Sequence, residues 1–215
     1  MAFLRMENFW ERLLMPAFIY FFKLLYPFRL SNSGSTLVAA AAGGCILISK
    51  QALDGIGGFS AIRDALIDDC CLARKVKQAG NRTWIGLSHS AVSLRQYPTL
   101  QAIWQMVART AFTQLQYSNL LLGLCTLLLI AAFILPLVAL FSQEPVTIVL
   151  ALISLALMLA SYLPTLKFYD VNIFWGLTLP IAGALYLLMT WCSATHHWRG
   201  SGSLWKDRTY TRQTD

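Results

Sequence analysis

The sequence predicts a short α/β segment followed by an α-helical bundle that spans a membrane. Hydrophobic residues make up 57% of the 215 residues and charged residues only 13%, whereas soluble domains carry about 25% charged residues. Three long apolar stretches follow residue 119. Before residue 98, shorter apolar runs alternate with an amphipathic helical pattern and with glycine-containing turns.

The composition argues against several functional classes. The net charge of +7 comes from basic residues that flank apolar stretches, which is typical of a cytoplasmic, lipid-facing surface rather than a nucleic-acid interface. The five cysteines include no Cys-x-x-Cys spacing, so we expect reduced structural thiols rather than disulfides or a zinc site. His196 and His197 have no further ligand type at a suitable spacing, and we predict no metal site.

The first 30 residues form an apolar, aromatic-rich segment that charges interrupt. Glu11, Arg12 and Lys23 lie within residues 7–28. We predict an interfacial segment over residues 1–30, because a helix lying in the bilayer surface tolerates such charges and Lys23 can reach the headgroups. A short membrane span is the alternative.

Residues 31–98 have α/β character. The run at 45–49 reads as a buried strand, residues 68–79 as a helix, and residues 81–87 and 90–94 as two short strands. These strands are too few to close a sheet. We therefore expect that part of the domain lies upstream of this segment.

The remainder of the chain reads as membrane helices. An amphipathic pattern over 99–118 predicts a helix along the membrane surface, and spans are predicted at about 119–141, 146–163 and 171–192. A basic tail follows over 193–215. Positive residues place both the N-terminal part and the tail in the cytoplasm, yet three spans put them on opposite sides, so the side of the tail stays open.

The acidic pair Asp68-Asp69 begins the predicted helix of the α/β segment, and Gly57-Gly58 precedes it in a loop. Asp in a first turn commonly caps a helix, and paired glycines commonly make a plain turn. Both features also suit a substrate site. Transport is disfavoured, because the three predicted spans contain no Asp, Glu, Lys or Arg.

These residues together resemble a family. The string GGF at 57–59, the acidic pair, Leu72 and Gly80 resemble the acceptor half of processive-type family 2 glycosyltransferases. The strings ALIDDCCLARKVKQAG and MVARTAFTQL, with the C-terminal spans, are most similar to hopene-associated glycosyltransferases, which are membrane relatives of ceramide glucosyltransferase. The resemblance implies a remnant of a GT-A catalytic domain, followed by the helical bundle, in the bacterial inner (cytoplasmic) membrane with the remnant facing the cytoplasm.

The resemblance also implies a reaction, in which a nucleotide-sugar donor transfers its sugar to a lipid hydroxyl with inversion. By its place in the motif, Asp69 is the base that takes the acceptor proton, with Asp68 beside it. A hydroxyl needs such a base because it is a poor nucleophile while protonated. Gly57 and Gly58 are candidates for close approach to substrate, with a plain turn as the alternative.

A second motif of the family, Q/R-x-x-R-W, matches at Arg109. Its Arg helps to neutralise the departing diphosphate, a role that suits a planar guanidinium. Met106 and Thr110 depart from the motif. Gln105, one turn before Arg109, can substitute for the first position. An arginine that reaches toward lipid headgroups is the alternative.

The donor-binding half of the family has no counterpart in the chain. No D-x-D sequence occurs, so the Mg or Mn that the family implies has no ligands here. We expect an N-terminally truncated and catalytically incomplete enzyme, whose partners are a nucleotide sugar, a membrane lipid acceptor and a separately encoded N-terminal half. The alternative is a catalytically inactive membrane fragment with an assembly or interaction role.

Overall fold

The structure is a computed structural model that describes residues 1–200, 203–205 and 208–210. Helices dominate the described residues. The α-helices are α1 (Phe9–Leu25), α2 (Phe28–Ser31), α3 (Lys50–Gly55), α4 (Asp68–Gln78), α5 (Leu100–Gln114), α6 (Asn119–Leu129), α7 (Leu135–Ala139), α8 (Pro145–Phe168) and α9 (Leu179–Trp198). Shorter helical turns are 3₁₀ at Phe59–Ile62 and Ile173–Thr178 and π at Ile130–Ile134, and strands β1 (Ser203–Trp205) and β2 (Arg208–Tyr210) pair antiparallel.

The chain forms two compact units. The first unit contains Met1–Arg5 and Ile19–Gln96, and the second contains Met6–Phe18 and Tyr97–Asp215. The small core of the first unit is built on Ala40, Cys70 and Ile85, against which partly buried apolar side chains pack: Met1, Phe22, Tyr26, Phe28 and Ile67.

The expected α/β remnant of a GT-A domain is wrong. Within residues 31–98, all of which the structure describes, no segment pairs into a sheet. The predicted strands at 45–49, 81–87 and 90–94 do not form: residues 45, 90 and 91 are bends, and these segments contain only one isolated parallel bridge, between Phe3 and Val92. A helix closes its hydrogen bonds within itself, whereas a strand needs a neighbour for its backbone groups. The predicted helix at 68–79 is confirmed as α4.

Residues Asn8 and Glu11 fix the start of α1 through a capping box. Asn8 Oδ1 accepts the N–H of Glu11 at 3.0 Å, and Glu11 Oε2 accepts the N–H of Asn8 at 3.3 Å. The same two side chains bind the backbone of Tyr97: Glu11 Oε1 accepts its N–H at 2.7 Å and Asn8 Nδ2 donates to its carbonyl at 3.1 Å. A buried carboxylate thereby holds the chain that leads into α5.

The second unit is a helical bundle in which α5 packs along α9. The buried side chains of α5 are Ile103, Val107, Ala108 and Phe112, which fall at the helical spacing expected for one face. Phe112 lies in a cluster with Leu122 of α6 and Ala194 of α9. The position of α5 along a membrane surface stays a prediction.

Three helical stretches are long and apolar enough to cross a membrane: Asn119–Ala139, Pro145–Phe168 and Ile173–Trp198. They overlap the three predicted spans, with ends that differ by up to six residues. The basic tail predicted over 193–215 overlaps the end of α9, and residues 201–202, 206–207 and 211–215 of it lie outside the described residues. The first span is irregular, because its α-helix opens into the π turn at Ile130–Ile134 just before Pro136. Proline lacks an N–H and disrupts a regular α-helix, and a π turn accommodates the disruption.

Replacing Glu11 by Ala should destabilise the protein. The substitution leaves the Tyr97 N–H buried without its acceptor and removes the capping box, so we expect the free energy of unfolding to fall by about 2–3 kcal/mol. Chemical unfolding in detergent measures the change. Glu144→Ala is the control, since the exposed Glu144 side chain makes no cap hydrogen bond at the start of α8. An equal loss in both variants would contradict the assignment.

Candidate functional site

The candidate site is built around the start of α4, where both acids bind first-turn backbone groups. Asp68 Oδ1 accepts the N–H of Asp69 at 3.0 Å, and Asp69 Oδ1 accepts the N–H of Cys70 at 2.7 Å. These contacts satisfy two of the N–H groups that have no partner within a helix. Neither acid is the N-cap, because Ile67 occupies that position and makes no side-chain cap hydrogen bond; both acids bind first-turn N–H groups from within the helix.

Asp69 makes an additional contact outside its own helix. Its second oxygen, Oδ2, accepts the N–H of Gly43 at 2.8 Å, from a residue 26 positions earlier. A Cβ atom at position 43 would lie 3.4 Å from this oxygen, an ordinary van der Waals contact, so the Gly43 backbone lies directly against the carboxylate. A simple helix cap does not require this contact.

The pKa of the Asp69 carboxyl is raised above its ordinary value, and burial is the main cause. The charge of Asp68 raises it further, while the N–H groups of Gly43 and Cys70 oppose the shift by stabilising the ionised form. Repulsion between the two acids is therefore a smaller contribution than burial.

Helix α4 binds the segment from Val38 to Gly43 along its length. At one end Asp69 binds Gly43, and one residue further Cys70 Sγ donates to the carbonyl of Ala41 at 3.7 Å. At the other end Lys77 Nζ donates to the carbonyl of Val38 at 2.7 Å. The segment therefore runs antiparallel to the helix. Its polar backbone groups are bound by side chains of α4 instead of by a neighbouring strand.

Gly57 and Gly58 lie in a turn that follows α3. Both have positive φ angles, 87° and 72°, which side chains disfavour. Their N–H groups donate to the carbonyls of Asp54 and Leu53, respectively, and so end α3. They contact none of the Asp69 atoms in the described hydrogen bonds. A substrate role for these glycines stays a prediction.

The residues predicted to bind the diphosphate, Gln105 and Arg109, lie on α5 in the second unit. Gln105 is exposed and Arg109 is half-buried. Both lie off the buried face that Ile103 and Val107 help to form. Asp68, Asp69, Gly57 and Gly58 lie in the first unit. The structure thus brings Asp69 together with Gly43, and the roles of Gln105 and Arg109 stay predictions.

Two residues of the site, Gly43 and Lys77, escape interpretation from sequence. Gly43 belongs to the small-residue run AAAAGG, which permits close backbone approach but does not name the partner. Lys77 occupies the same helical stripe as the buried Cys70 and Ala73, at spacings of three and four residues. A lysine on an apolar stripe is the signal that points to a buried cation.

The described residues do not form a place for the divalent metal that the resemblance implies. Among them, no group of three His, Cys, Asp or Glu side chains lies close enough to hold a metal ion. The sequence also contains no D-x-D. The described residues therefore offer no set of ligands through which such a metal would act.

A family model decides the relationship of the chain to known proteins. The model Glycosyl transferase family 21 matches residues 26–206, which include α4, α5 and all three candidate spans. The chain belongs to glycosyl transferase family 21. This is the ceramide glucosyltransferase-like family. No curated protein and no solved structure matches the chain.

Membership of family 21 confirms part of the resemblance seen in the sequence. The assignment as a glycosyltransferase is confirmed, together with the relationship to the ceramide glucosyltransferase group. Assignment to family 2 is not supported by the match, which is to family 21. The hopene-associated subtype stays a prediction.

The thiols of the first unit should differ sharply in reactivity. Burial raises the pKa of the Cys70 thiol to about 11, whereas Cys45 is exposed. Since the thiolate is the nucleophile, a maleimide at about pH 8 should modify Cys45 and spare Cys70. Peptide mass spectrometry of the folded protein measures both sites, and Cys45→Ser identifies the first. Comparable modification of Cys70 would contradict its burial.

Proposed function

We propose that the chain is the acceptor-side part of a membrane glycosyltransferase that moves a sugar from a nucleotide-sugar donor to a lipid hydroxyl with inversion. Membership of family 21 supports the reaction class. Three apolar helices long enough to cross a membrane suit a lipid acceptor. One observation carries the proposal for a base: the half-buried Asp69 accepts the N–H of Gly43, a contact that a helix cap does not need.

Asp69 has the properties of an acceptor-activating base. Each of its oxygens accepts one N–H, from Gly43 or Cys70, and a carboxylate oxygen has a further lone pair. The two contacts fix the orientation of the carboxylate and leave capacity to receive a proton. Its raised pKa makes it a stronger base once it is ionised.

In the proposed step the acceptor oxygen attacks the anomeric carbon of the sugar while the bond from that carbon to the diphosphate oxygen breaks. The hydroxyl proton passes to Asp69, and the nucleoside diphosphate leaves with the bonding electron pair. We assign Arg109, with Gln105 beside it, to the negative charge of this leaving group, because a guanidinium binds phosphate oxygens in pairs. Gly57 and Gly58 are proposed to border the substrate.

The donor side of the reaction is proposed to come from a separately encoded N-terminal half. That half would carry the D-x-D sequence, which does not occur in this chain, and with it the Mg or Mn site. We place the first unit on the cytoplasmic side of a bacterial inner membrane, where basic residues meet anionic lipids.

Replacing Asp69 by Asn should abolish transfer. Loss of a general base slows a reaction by about 10²-fold to 10⁴-fold. Membranes that contain the chain together with the product of the coding sequence immediately upstream are supplied with radiolabelled UDP-hexoses, and label in the lipid extract is measured. Asp64→Asn, an exposed acid of the same unit, is the control.

Equal transfer by the wild type and the Asp69→Asn variant would overturn the assignment of the base. Absence of transfer with the wild type under every donor would instead favour the inactive membrane fragment with an assembly role.

The pH dependence of transfer should report the charge of Asp68. Asp69 must be ionised to accept a proton, so the rate should rise with pH through the pKa of Asp69, which lies above the ordinary value for Asp. Asp68→Asn removes a charge that raises this pKa, and should move the rising limb to lower pH. Rates measured from acidic to neutral pH test the direction. An unchanged or opposite shift would contradict the interaction.

A further inference from the structure

The ammonium group of Lys77 is buried without a carboxylate. The side chain is only 4% exposed, and Nζ donates to three backbone carbonyls: Val38 at 2.7 Å, Ser35 at 2.8 Å and Leu30 at 3.4 Å. Burying a cation costs free energy unless hydrogen bonds replace its water. Three carbonyls match the three N–H donors of an ammonium. The three hydrogen bonds therefore offset the cost of burying the cation and tie α4 to three points of the preceding chain.

The three carbonyls lie on the chain that leads directly to Gly43. Lys77 thus fixes the beginning of the Val38–Gly43 segment, while Asp69 binds its end. Along α4, Asp69 and Lys77 are about 12 Å apart at the usual helical rise. Five residues of extended chain reach at most about 16–18 Å. The segment is long enough to span its two attachments, and the Cys70 contact to Ala41 holds it between them.

We propose that Lys77 is a positioning residue for Asp69: its bonds to Leu30, Ser35 and Val38 hold the Val38–Gly43 segment in the register that places the Gly43 N–H on Asp69 Oδ2. This inference rests on the proposed role of Asp69 as the base. Lys77 sets the orientation and protonation of Asp69 from two helical turns away. It makes no contact with the reacting atoms.

A purely structural role for Lys77 would have different consequences. If Lys77 only stabilised the loop, its removal would lower the stability of the unit without a selective effect at Asp69. If it sets the register, its removal releases the Gly43 N–H from the carboxylate. The pKa of Asp69 then rises, because an N–H that stabilises the ionised form has been lost. The groups that face Asp69, Asp68 and Cys70, are unchanged.

The experiment measures both ends of the Gly43–Asp69 contact in the full chain. The protein, with ¹³C at the side-chain carboxyl of its seven aspartates, is placed in nanodiscs of phosphatidylcholine and phosphatidylglycerol, and each carboxyl is titrated by NMR. Asp69→Asn identifies the signal of Asp69. In Lys77→Met we expect a higher pKa for Asp69 alone. We also expect the Gly43 amide hydrogen to exchange at least about tenfold faster than in the wild type, because it loses a hydrogen bond to a charged group.

Lys75→Met is the matched control, because it removes the same charge from the same helix turn. Lys75 is half-buried, and its side chain makes no hydrogen bond in the described part of the chain. If Lys75→Met raises the pKa of Asp69 as much as Lys77→Met does, the effect is Coulombic and the proposal is wrong. An unchanged titration of Asp69 and unchanged Gly43 exchange in Lys77→Met would also overturn it.

If Lys77→Met does not fold, a second variant, Lys77→Gln, tests the proposal. Lys77→Gln keeps two N–H donors without the charge, and should give changes at Asp69 and Gly43 in the same direction but smaller. Wild-type behaviour at both sites in Lys77→Gln, with the loop Leu30–Val38 exchanging faster, would overturn the proposal.

The measurement is independent of catalysis. Equal transfer activity of wild type and Asp69→Asn would refute the proposed base while leaving the Lys77 result intact. Failure of the Lys77 prediction would leave Asp69 as the base, positioned by other contacts.

Discussion

Backbone that lies outside helices and sheets needs other hydrogen-bond partners, and the first unit depends on this constraint. The chain from Val38 to Gly43 has no strand beside it within the described residues. Its polar groups are instead bound by side chains of α4, at Asp69, Cys70 and Lys77. Side chains of one helix therefore provide hydrogen-bond partners that a neighbouring strand would provide in a sheet. The same bonds that satisfy the backbone also orient the acid.

The second unit solves the same problem in another way. Its long helices satisfy their own backbone groups, as a membrane interior requires. The exceptions are local and are closed by side chains, as where Glu11 and Asn8 bind both backbone groups of Tyr97. In both units, polar side chains are placed where a regular element ends or is missing. Apolar packing, as of Phe112 against Ala194, then fills the remaining space.

The sequence predicts the helices and the candidate spans well because their signals are local. Periodicity marks α4, composition marks the long apolar stretches, and the Asn8-x-x-Glu11 spacing carries the signature of a capping box. The predicted strands fail because pairing depends on distant segments. The Gly43–Asp69 contact joins residues 26 positions apart. No periodicity encodes such a contact, and the small residues before Gly43 indicate only that close approach is permitted.

The π turn at Ile130–Ile134 has a consequence for how the first candidate span tolerates changes in length. A residue added to or lost from a regular helix rotates every later side chain by about 100°, which would turn the buried face of α7 away from its neighbours. A π turn holds one residue more than an α turn. The span therefore already contains one residue more than a regular α-helix would have between its two halves. Loss of one residue there converts the wide turn to an ordinary one, so this stretch of the span is the place where its length can change.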